Sequence, residues 1–285
     1  MSRQKPSHIP EELPPCNGPK LEQFKHHKSP IEWRERLDAH RDNDDATEGF
    51  VFRAIIKRRE YAIKVFKFFN PRSTEPFWGP VVGRDTPLDT AAYYSDPFFA
   101  ECRAYGRINK AVKQRKLRGD VAIPCHGFLF LQKRDEEALD RYDLDFNLDN
   151  VDLDYQNSTV AGCRLRAIVK DIASSDPGVG TQNLGRILSG ISALNKAKVY
   201  SHDIQLDNFR DGRLVDFGCS ITEPHLFLKA LNEASASGYR EADRVQFDNM
   251  VVMEKIPNPK QIRALPDPKY TQKLRSSARG KASTK

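Results

Sequence analysis

The chain of 285 residues has few cysteines and no long apolar run. Its five cysteines are an odd number, lie far apart and include no Cys-x-x-Cys pair, which disfavours a disulfide framework or a zinc knuckle. No apolar stretch approaches the roughly 18 residues of a membrane helix, and the first residues lack the apolar core of a signal peptide. We therefore expect a protein of a reducing intracellular compartment, cytoplasm or nucleus, without contact to a membrane.

The positive charge is concentrated at the C-terminus. The formal net charge is +7, but nine basic residues and a single acid, Asp267, lie between Lys255 and Lys285, so the preceding residues are close to neutral. We predict a basic disordered tail over residues 256–285. Such a tail can make weak, non-specific and salt-dependent contacts with nucleic acid, although a solvated end that only maintains solubility is the interpretation that its composition favours.

The N-terminal third divides into an arm and a predicted hairpin. Residues 1–43 contain six prolines and many charges, and only residues 31–37 suggest a short helix, so we expect a mostly disordered arm. Residues 50–56 and 61–69 are rich in aromatic and β-branched side chains and flank a polar turn, a pattern typical of a β-hairpin.

The remaining pattern predicts an α+β protein in two unequal lobes. Residues 70–96 have the composition of a long loop, residues 98–113 show helical spacing, and residues 127–131 and 164–172 are apolar runs. The acidic connector 135–154 between these runs is expected to protrude as a solvated loop. Further helices are predicted over residues 183–198 and 241–253. Prolines beyond residue 256 prevent the second helix from continuing.

Four local features carry chemical information. Lys64 lies inside an apolar strand and Glu101 lies on the apolar side of a helix, so an ion pair between them would offset the cost of burying each charge. Asp203 and Asn208 are five residues apart in a polar loop after a helix, and Asp216 begins an Asp-Phe-Gly turn after a short apolar strand. Each feature alone has an ordinary explanation, because strand lysines reach solvent and Asp and Asn are common in turns. Their order along the chain is what carries the prediction.

In this order the features resemble those of the protein kinases. Residues 62–64 resemble the strand-three lysine motif, Glu101 its helix partner, residues 203–208 the catalytic loop, and residues 216–218 are an intact DFG motif. Asp243 resembles the residue that supports the catalytic loop from below. The resemblance covers about residues 44–253 and implies a two-lobed kinase-like fold, with a β-sheet small lobe over residues 44–170 and a truncated helical large lobe over residues 171–255.

The resemblance also implies roles for individual residues. Lys64, fixed by Glu101, would hold the α- and β-phosphates of ATP, Asn208 and Asp216 would bind Mg²⁺, and Asp203 would accept the proton of an acceptor hydroxyl. Further nucleotide contacts are implied at positions of the phosphate-covering loop, the sheet and the hinge: Gly49, Val51, Ala62, Val169 and Asp171.

Several departures from the kinase pattern leave a second interpretation open. Asp44 and Ala46 stand where the first two glycines of the phosphate-covering loop are expected, and Gln205 replaces a lysine near the γ-phosphate. His202 stands in place of the catalytic-loop arginine, and nothing after Met253 can form the later helices of the large lobe. The alternatives are thus an ATP- and Mg²⁺-dependent phosphotransferase and a pseudokinase-type scaffold that has kept the fold.

A narrower resemblance points to a fungal family of kinetochore subunits, of the FTA type in the Sim complex, whose members have a compact kinase-like core. Residues 66–69, 96–106 and 214–217 carry it, and the segment 96–106 is its most specific part because kinases in general do not require it. This resemblance implies a nuclear complex whose protein subunits are the partners of the chain.

Overall fold

The computed structural model describes residues 12–14, 17–38, 47–146 and 164–266. Its main feature is an antiparallel five-stranded sheet of order β1-β2-β3-β5-β4. The strands are β1 (Glu32–Arg36), β2 (Gly49–Ile56), β3 (Arg59–Phe66), β4 (Cys125–Phe130) and β5 (Arg166–Lys170). The predicted hairpin is confirmed as β2–β3, and its two turn residues, Lys57 and Arg58, both have positive φ, as the tight turns that suit twisted strands require.

One long helix, α3 (Pro97–Lys113), packs across the sheet and carries Glu101. Asp96 precedes the helix and caps it, because its carboxylate accepts a hydrogen bond from the backbone N–H of Phe98. Phe98 and Tyr105 are fully buried between the helix, the sheet and the C-terminal part of the chain. The opposite face of the sheet packs a second cluster, which includes Phe52 and Val169.

The prediction for the N-terminal arm is wrong over residues 17–38. Residues 31–37, expected to be helical, instead contain β1, which pairs with the free edge of β2 and buries Trp33 against Phe52. Leu21 and Phe24 are also buried, and the backbone N–H of Phe24 donates to the carbonyl of Phe128. A sheet edge leaves backbone groups unpaired, so the arm gains both hydrogen bonds and apolar contacts. Residues 1–11, 15–16 and 39–43 of the predicted arm lie outside the described residues.

Two segments that were expected to be loops contain helices. Residues 70–96 form α1 (Glu75–Val82) and α2 (Leu88–Ser95). The acidic connector begins with α4 (Lys133–Leu139), where Asp135 and Leu139 are buried, and continues to a buried Phe146. A few apolar anchors therefore hold the connector against the sheet despite its charge. Its residues 147–154 lie outside the described part of the chain.

The C-terminal part of the chain is mainly helical. It contains α5 (Leu184–Lys196), α6 (Leu226–Ala230) and α7 (Glu233–Met253), with the short strands β6 (Val199–Tyr200), β7 (Phe209–Arg210), β8 (Arg213–Leu214) and β9 (Ile221–Thr222) between α5 and α6. The predicted helices over 98–113, 183–198 and 241–253 are present, and α7 begins earlier than expected, at Glu233. The α+β architecture in two unequal parts is thus confirmed.

The predicted tail does not begin at residue 256. Ile256, Ile262 and Ala264 pack against the main core cluster, and Asp248 of α7 accepts hydrogen bonds from two backbone N–H groups of this segment. Within the described ranges, no helix has both the length and the apolar character needed to cross a membrane.

Candidate functional site

A cleft of about 720 Å³ lies between the five-stranded sheet and the helical part of the chain. It contains most of the site residues that the sequence predicts, which reach it from the sheet, the loop after α5 and the Asp-Phe-Gly turn: Gly49, Val51, Ala62, Lys64, Asp171, Asp203, Asn208 and Asp216. Two predicted residues do not line it. Glu101 lies behind Lys64 with no exposed surface, and Val169 is buried in the cluster on the other face of the sheet.

Lys64 is the centre of a buried ionic cluster. Its Nζ atom lies 3.2 Å from Glu101 Oε2 and 2.7 Å from Asp216 Oδ1, so the predicted ion pair is present and the carboxylate of the Asp-Phe-Gly turn joins it. Glu48 Oε2 lies 3.4 Å from the same Nζ atom. Lys170 forms an ion pair with the second oxygen of Glu101, and its Nζ atom donates to the carbonyl of Val215 at 2.7 Å. Three carboxylates thus face two ammonium groups, which leaves one negative charge in excess.

The charges in this cluster shift each other's protonation. Burial acts to lower the pKa of Lys64, but the three carboxylates outweigh it and raise the pKa well above the usual lysine range. Burial acts to raise the pKa of Asp216, but Lys64 and Lys170 outweigh it and hold the pKa well below that of an ordinary carboxyl. Both groups therefore stay charged over the physiological pH range.

The loop after β6 holds Asp203 and Asn208 together. Asn208 Nδ2 donates to Asp203 Oδ2 at 2.6 Å and to the carbonyl of Asp203 at 3.1 Å. Burial raises the pKa of Asp203, an effect that the hydrogen bond from Asn208 opposes and the nearby charge of Asp216 reinforces. A carboxylate with a raised pKa is a better proton acceptor than an ordinary aspartate.

Asp243 of α7 supports this loop from below, as the sequence predicts. It is fully buried, and its two oxygens accept hydrogen bonds from the backbone N–H groups of Ser201 and His202 at 2.9 and 2.8 Å. His202 has a positive φ of 60°, a conformation that favours glycine. The hydrogen bonds to Asp243 hold this residue in place and so orient Asp203, the next residue along the chain.

The Asp-Phe-Gly turn is anchored in the core. Phe217 is fully buried and packs edge-to-face on Tyr105 of α3, with ring centroids 5.1 Å apart. Asp216 Oδ1 accepts the backbone N–H of Gly218 at 2.9 Å as well as the lysine proton. This packing points the Asp216 carboxylate at Lys64.

Sequence reasoning missed two members of the cluster, Lys170 and Glu48. Lys170 ends the apolar strand β5 and pairs with Ala62 of β3, so the alternation of side chains in the strand places it on the same face as Lys64. That alternation could have identified it. Glu48 precedes Gly49 in the phosphate-covering loop, and only the folded chain brings its carboxylate to Lys64 and to the thiol of Cys219, whose Sγ lies 3.4 Å from Oε1.

At the mouth of the cleft, Asp171 is already engaged. Its Oδ1 atom accepts hydrogen bonds from Arg59 Nη2 and His126 Nε2, both at 2.7 Å, and its backbone N–H donates to the carbonyl of Pro124. The side chain therefore fixes the end of β5 rather than reaching freely into the cleft. Asp44 and Ala46, which stand in place of the first two glycines of the phosphate-covering loop, lie outside the described residues.

This order of elements, and the contacts of Lys64 with Glu101 and Asp216, agree with the kinase-like arrangement that the sequence predicts. Among solved structures, one of vaccinia related kinase 3 aligns at 12% identity with a TM-score of 0.37, covering 74% of this chain and 53% of that chain. The BubR1 kinase domain aligns at 12% identity with a TM-score of 0.40, covering 75% and 54%. The chain spans about half the length of both. No curated protein sequence matches it.

A family model identifies the chain more directly. The model described as kinetochore Sim4 complex subunit FTA2 matches residues 9–221, which include β1 to β5, α3, Lys64, Glu101, Asp203 and the Asp-Phe-Gly turn. The matched range is well over half of the chain. The protein therefore belongs to the FTA2 family of kinetochore Sim4 complex subunits.

Proposed function

We propose that the protein is a kinase-like subunit of a kinetochore complex whose cleft binds ATP with Mg²⁺ and supports transfer of the γ-phosphoryl group to a hydroxyl. The observation that carries this proposal is the convergence of Lys64, Asp216, Asn208 and Asp203 in one cleft. Phosphoryl transfer depends mainly on positioning and charge neutralisation, and these side chains supply a cation, two oxygen ligands and a proton acceptor.

The cleft suits this ligand in size and in donor chemistry. Its volume of about 720 Å³ lies within the range of about 300 to 1,000 Å³ that small-molecule sites have. Protein sites hold Mg²⁺ through one or two carboxylates together with the phosphates of the nucleotide. Asn208 and Asp216 would supply the protein's share of these ligands.

Each residue would have a separate task. Lys64 would hold phosphate oxygens, and the buried Glu101 would keep its ammonium group pointed into the cleft. The oxygens of Asn208 and Asp216 would hold Mg²⁺, which supplies further neutralisation of the phosphate charge. Asp203 would orient the acceptor hydroxyl and take its proton, a role that its raised pKa favours.

Acids outnumber bases in the lining of the cleft, so we expect nucleotide binding to depend strictly on Mg²⁺. The acids and bases are Asp38, Glu48, Asp171, Asp203, Asp207 and Asp216 against Lys64, Lys170 and Arg210. A free triphosphate would meet a surplus of negative charge, whereas its complex with a divalent cation carries less charge and gains ligands on the protein.

Thermal unfolding tests the binding step. ATP with Mg²⁺ at about a hundred times the dissociation constant should stabilise the protein by about 2.7 kcal/mol, a shift of a few degrees in a domain of this size. The shift should require Mg²⁺, disappear in Asp216→Asn and persist in Asp85→Asn, which neutralises an exposed carboxylate outside the cleft. No shift at millimolar ATP would contradict the proposal.

Transfer is tested separately with γ-labelled ATP. Label should appear on a protein or small-molecule acceptor, or on the chain itself, and Asp203→Asn should abolish it while the Mg²⁺-dependent thermal shift remains. Binding without turnover over a broad panel of acceptors would contradict the transfer step and leave the binding step standing.

One specific observation favours a second candidate, a scaffold with the kinase-like fold. The carboxylate of Glu48 lies 3.4 Å from the Lys64 ammonium group and against the backbone of Gly218, so it takes up space beside the cation that would hold phosphates. The family name describes a complex subunit, which fits a protein that works by assembly. The scaffold predicts a stable protein partner recovered by affinity purification whose binding is unchanged in Asp203→Asn, and a partner-free monomer in the native cell would contradict it.

A further inference from the structure

A second charged feature lies on the folded domain, away from the cleft. Five basic residues follow one another at the end of α3 without an intervening acid: Lys110, Lys113, Arg115, Lys116 and Arg118. All five are exposed. We refer to them as the α3 basic patch. None of them lines the cleft, and the chemistry proposed above makes no use of them.

Most of this charge is not neutralised. Arg118 Nε lies 3.2 Å from Asp120, which also pairs with Arg186. For the other four cations, no carboxylate among the described residues lies within ion-pair distance. Four like charges within seven residues repel each other in the free protein, and an anionic partner would relieve that repulsion.

The ordinary role of basic residues at a helix end explains only part of the patch. Cations in the last turn interact favourably with the helix dipole, which accounts for Lys110 and Lys113. Arg115 and Lys116 follow the helix, where this effect fades within a turn. Their charge needs another explanation.

The backbone at Arg115 decides which substitution can test its charge. The N–H of Lys116 donates to the carbonyl of Ala111, which closes the helix, and Arg115 has a φ of 58°. This left-handed position at a helix end is usually occupied by glycine because a side chain is strained there. Lys198 and Lys255 have the same conformation after α5 and α7, so it does not by itself indicate a ligand. Glycine at position 115 therefore removes the charge without straining the backbone, and the buried Leu117 anchors the turn in the core.

We propose that the α3 basic patch binds the phosphate backbone of duplex DNA. Exposed, flexible lysines and arginines without a pocket are suited to phosphate contacts that do not read sequence. A protein partner would be expected to use aromatic or apolar anchors, but the exposed large apolar side chains of the described residues lie elsewhere, on α1 and α7: Phe77, Tyr239, Val245, Val252 and Met253. The choice of DNA among polyanions rests on the proposed function as a subunit of a kinetochore complex.

The test compares two charge-matched variants of the full chain. The patch variant is Lys110→Gln, Lys113→Gln, Arg115→Gly and Lys116→Gln combined, in which glycine suits the left-handed backbone. The control variant is Lys57→Asn, Arg58→Gly, Lys229→Gln and Lys260→Gln combined, which removes the same charge from exposed positions outside the patch. Both retain residues 267–285 and their charge, so any binding by that segment contributes equally.

Binding of a fluorescent DNA duplex is measured by anisotropy between about 50 and 200 mM salt. Each phosphate contact contributes about 0.9 to the slope of log affinity against log salt, so the patch variant should lose about 3 to 4 units of slope and at least about tenfold in affinity. The control variant should keep the wild-type slope. Equal losses in both variants, or no DNA binding by the wild type, would overturn the proposal.

Two further measurements keep the result specific. Arg115→Lys should retain affinity while Arg115→Gly alone loses it, and both should unfold at the wild-type temperature or above. A loss of affinity in Arg115→Gly accompanied by a lower unfolding temperature would overturn a direct role for this charge. The thermal shift with ATP and Mg²⁺ should be the same in the patch variant as in the wild type, so failure of DNA binding and failure of the cleft proposal are distinguishable.

Discussion

Among single residues, Glu48 is expected to oppose ligand binding, because its carboxylate lies beside Lys64 in the cleft. Its carboxylate approaches Lys64 to 3.4 Å, accepts a contact from the thiol of Cys219 and lies against Gly218, where an added Cβ would be 1.7 Å from Oε2. Burial is the main cause that raises the pKa of Glu48, and Lys64 opposes it. The Glu48 carboxylate is partly buried, and its burial carries a cost in desolvation. As an anion it competes with any phosphate that binds Lys64.

We therefore expect Glu48→Gln to bind ATP with Mg²⁺ more tightly than the wild type. Removing one negative charge beside Lys64 should lower the dissociation constant about tenfold, which corresponds to about 1.4 kcal/mol. Isothermal titration calorimetry measures the dissociation constant of ATP with Mg²⁺ in both proteins. Glu60→Gln, at an exposed ion pair with Arg53, is the control and should change nothing. Weaker binding in Glu48→Gln would mean that Glu48 helps to hold the ligand instead.

Asp216 should make stability depend on acid pH. Because its pKa in the folded protein lies below the ordinary value, its contribution is present above that ordinary value and is lost as pH falls through it toward the folded value. Urea unfolding between pH 6 and pH 2 should show a steeper loss of stability in the wild type than in Asp216→Asn. Parallel curves would show that Lys64 does not stabilise the ionised form.

At the level of elements, α3 is held on two sides. Its inner face carries Glu101 toward Lys64, and its outer face meets the N-terminal arm at Gly106. A Cβ added at Gly106 would lie 2.6 Å from the carbonyl oxygen of Pro19 and 2.7 Å from the backbone N of Leu21. Both atoms belong to the backbone and cannot rotate away, so this glycine permits the arm to pack on the helix.

Gly106→Ala should separate the arm from α3. We expect a loss of about 1 to 3 kcal/mol in the free energy of unfolding, because overpacking outweighs the better helix propensity of alanine. Gly185→Ala is the matched control, since its nearest neighbour in α5 would be 3.9 Å away. It should be neutral or stabilising. Urea unfolding measures both changes, and limited proteolysis should cut residues 17–38 faster in Gly106→Ala only. Equal stability of the two variants would contradict the tight contact.

At the scale of the whole molecule, the helices and strands that pack in the core were predictable from local sequence patterns. The aromatic and β-branched composition of β2 and β3 around a polar turn identifies the hairpin. The helical spacing of α3, α5 and α7 comes from side chains that face the core, so periodicity identifies these helices. The pair Lys64 and Glu101 was predictable because two buried opposite charges require each other.

Peripheral segments could not be predicted in the same way. Residues 17–38 and the acidic connector have charged, proline-containing sequences, and they are ordered by a few anchors such as Trp33, Leu139 and Phe146 on surfaces that the rest of the chain provides. The α3 basic patch is different, because its five cations form one run of the sequence without an intervening acid. A sum of charge over the chain outside the tail is near zero and therefore conceals this local run.

The folded part of the described chain continues past the end of α7, through residues 256–266. Residues 256–266 carry prolines and charges, yet Asp248 Oδ1 accepts the backbone N–H of Ala264 at 2.8 Å and Oδ2 that of Leu265 at 3.0 Å. Arg244 donates to the carbonyl of Ala264, and Ile262 packs on the core. This segment therefore belongs to the helical part of the molecule.

Asp248→Ala should loosen this segment from α7. Both backbone N–H groups would lose their acceptor, which costs about 1 to 3 kcal/mol for partly buried donors. Urea unfolding should show that loss, Asp248→Asn should lie between the wild type and alanine because its amide keeps one acceptor, and Glu241→Ala at an exposed position of α7 should change little. Proteolysis should cut residues 256–266 faster in Asp248→Ala. If stability and cleavage were both unchanged, the folded unit would end with α7, because the contacts of residues 256–266 would then contribute nothing to it.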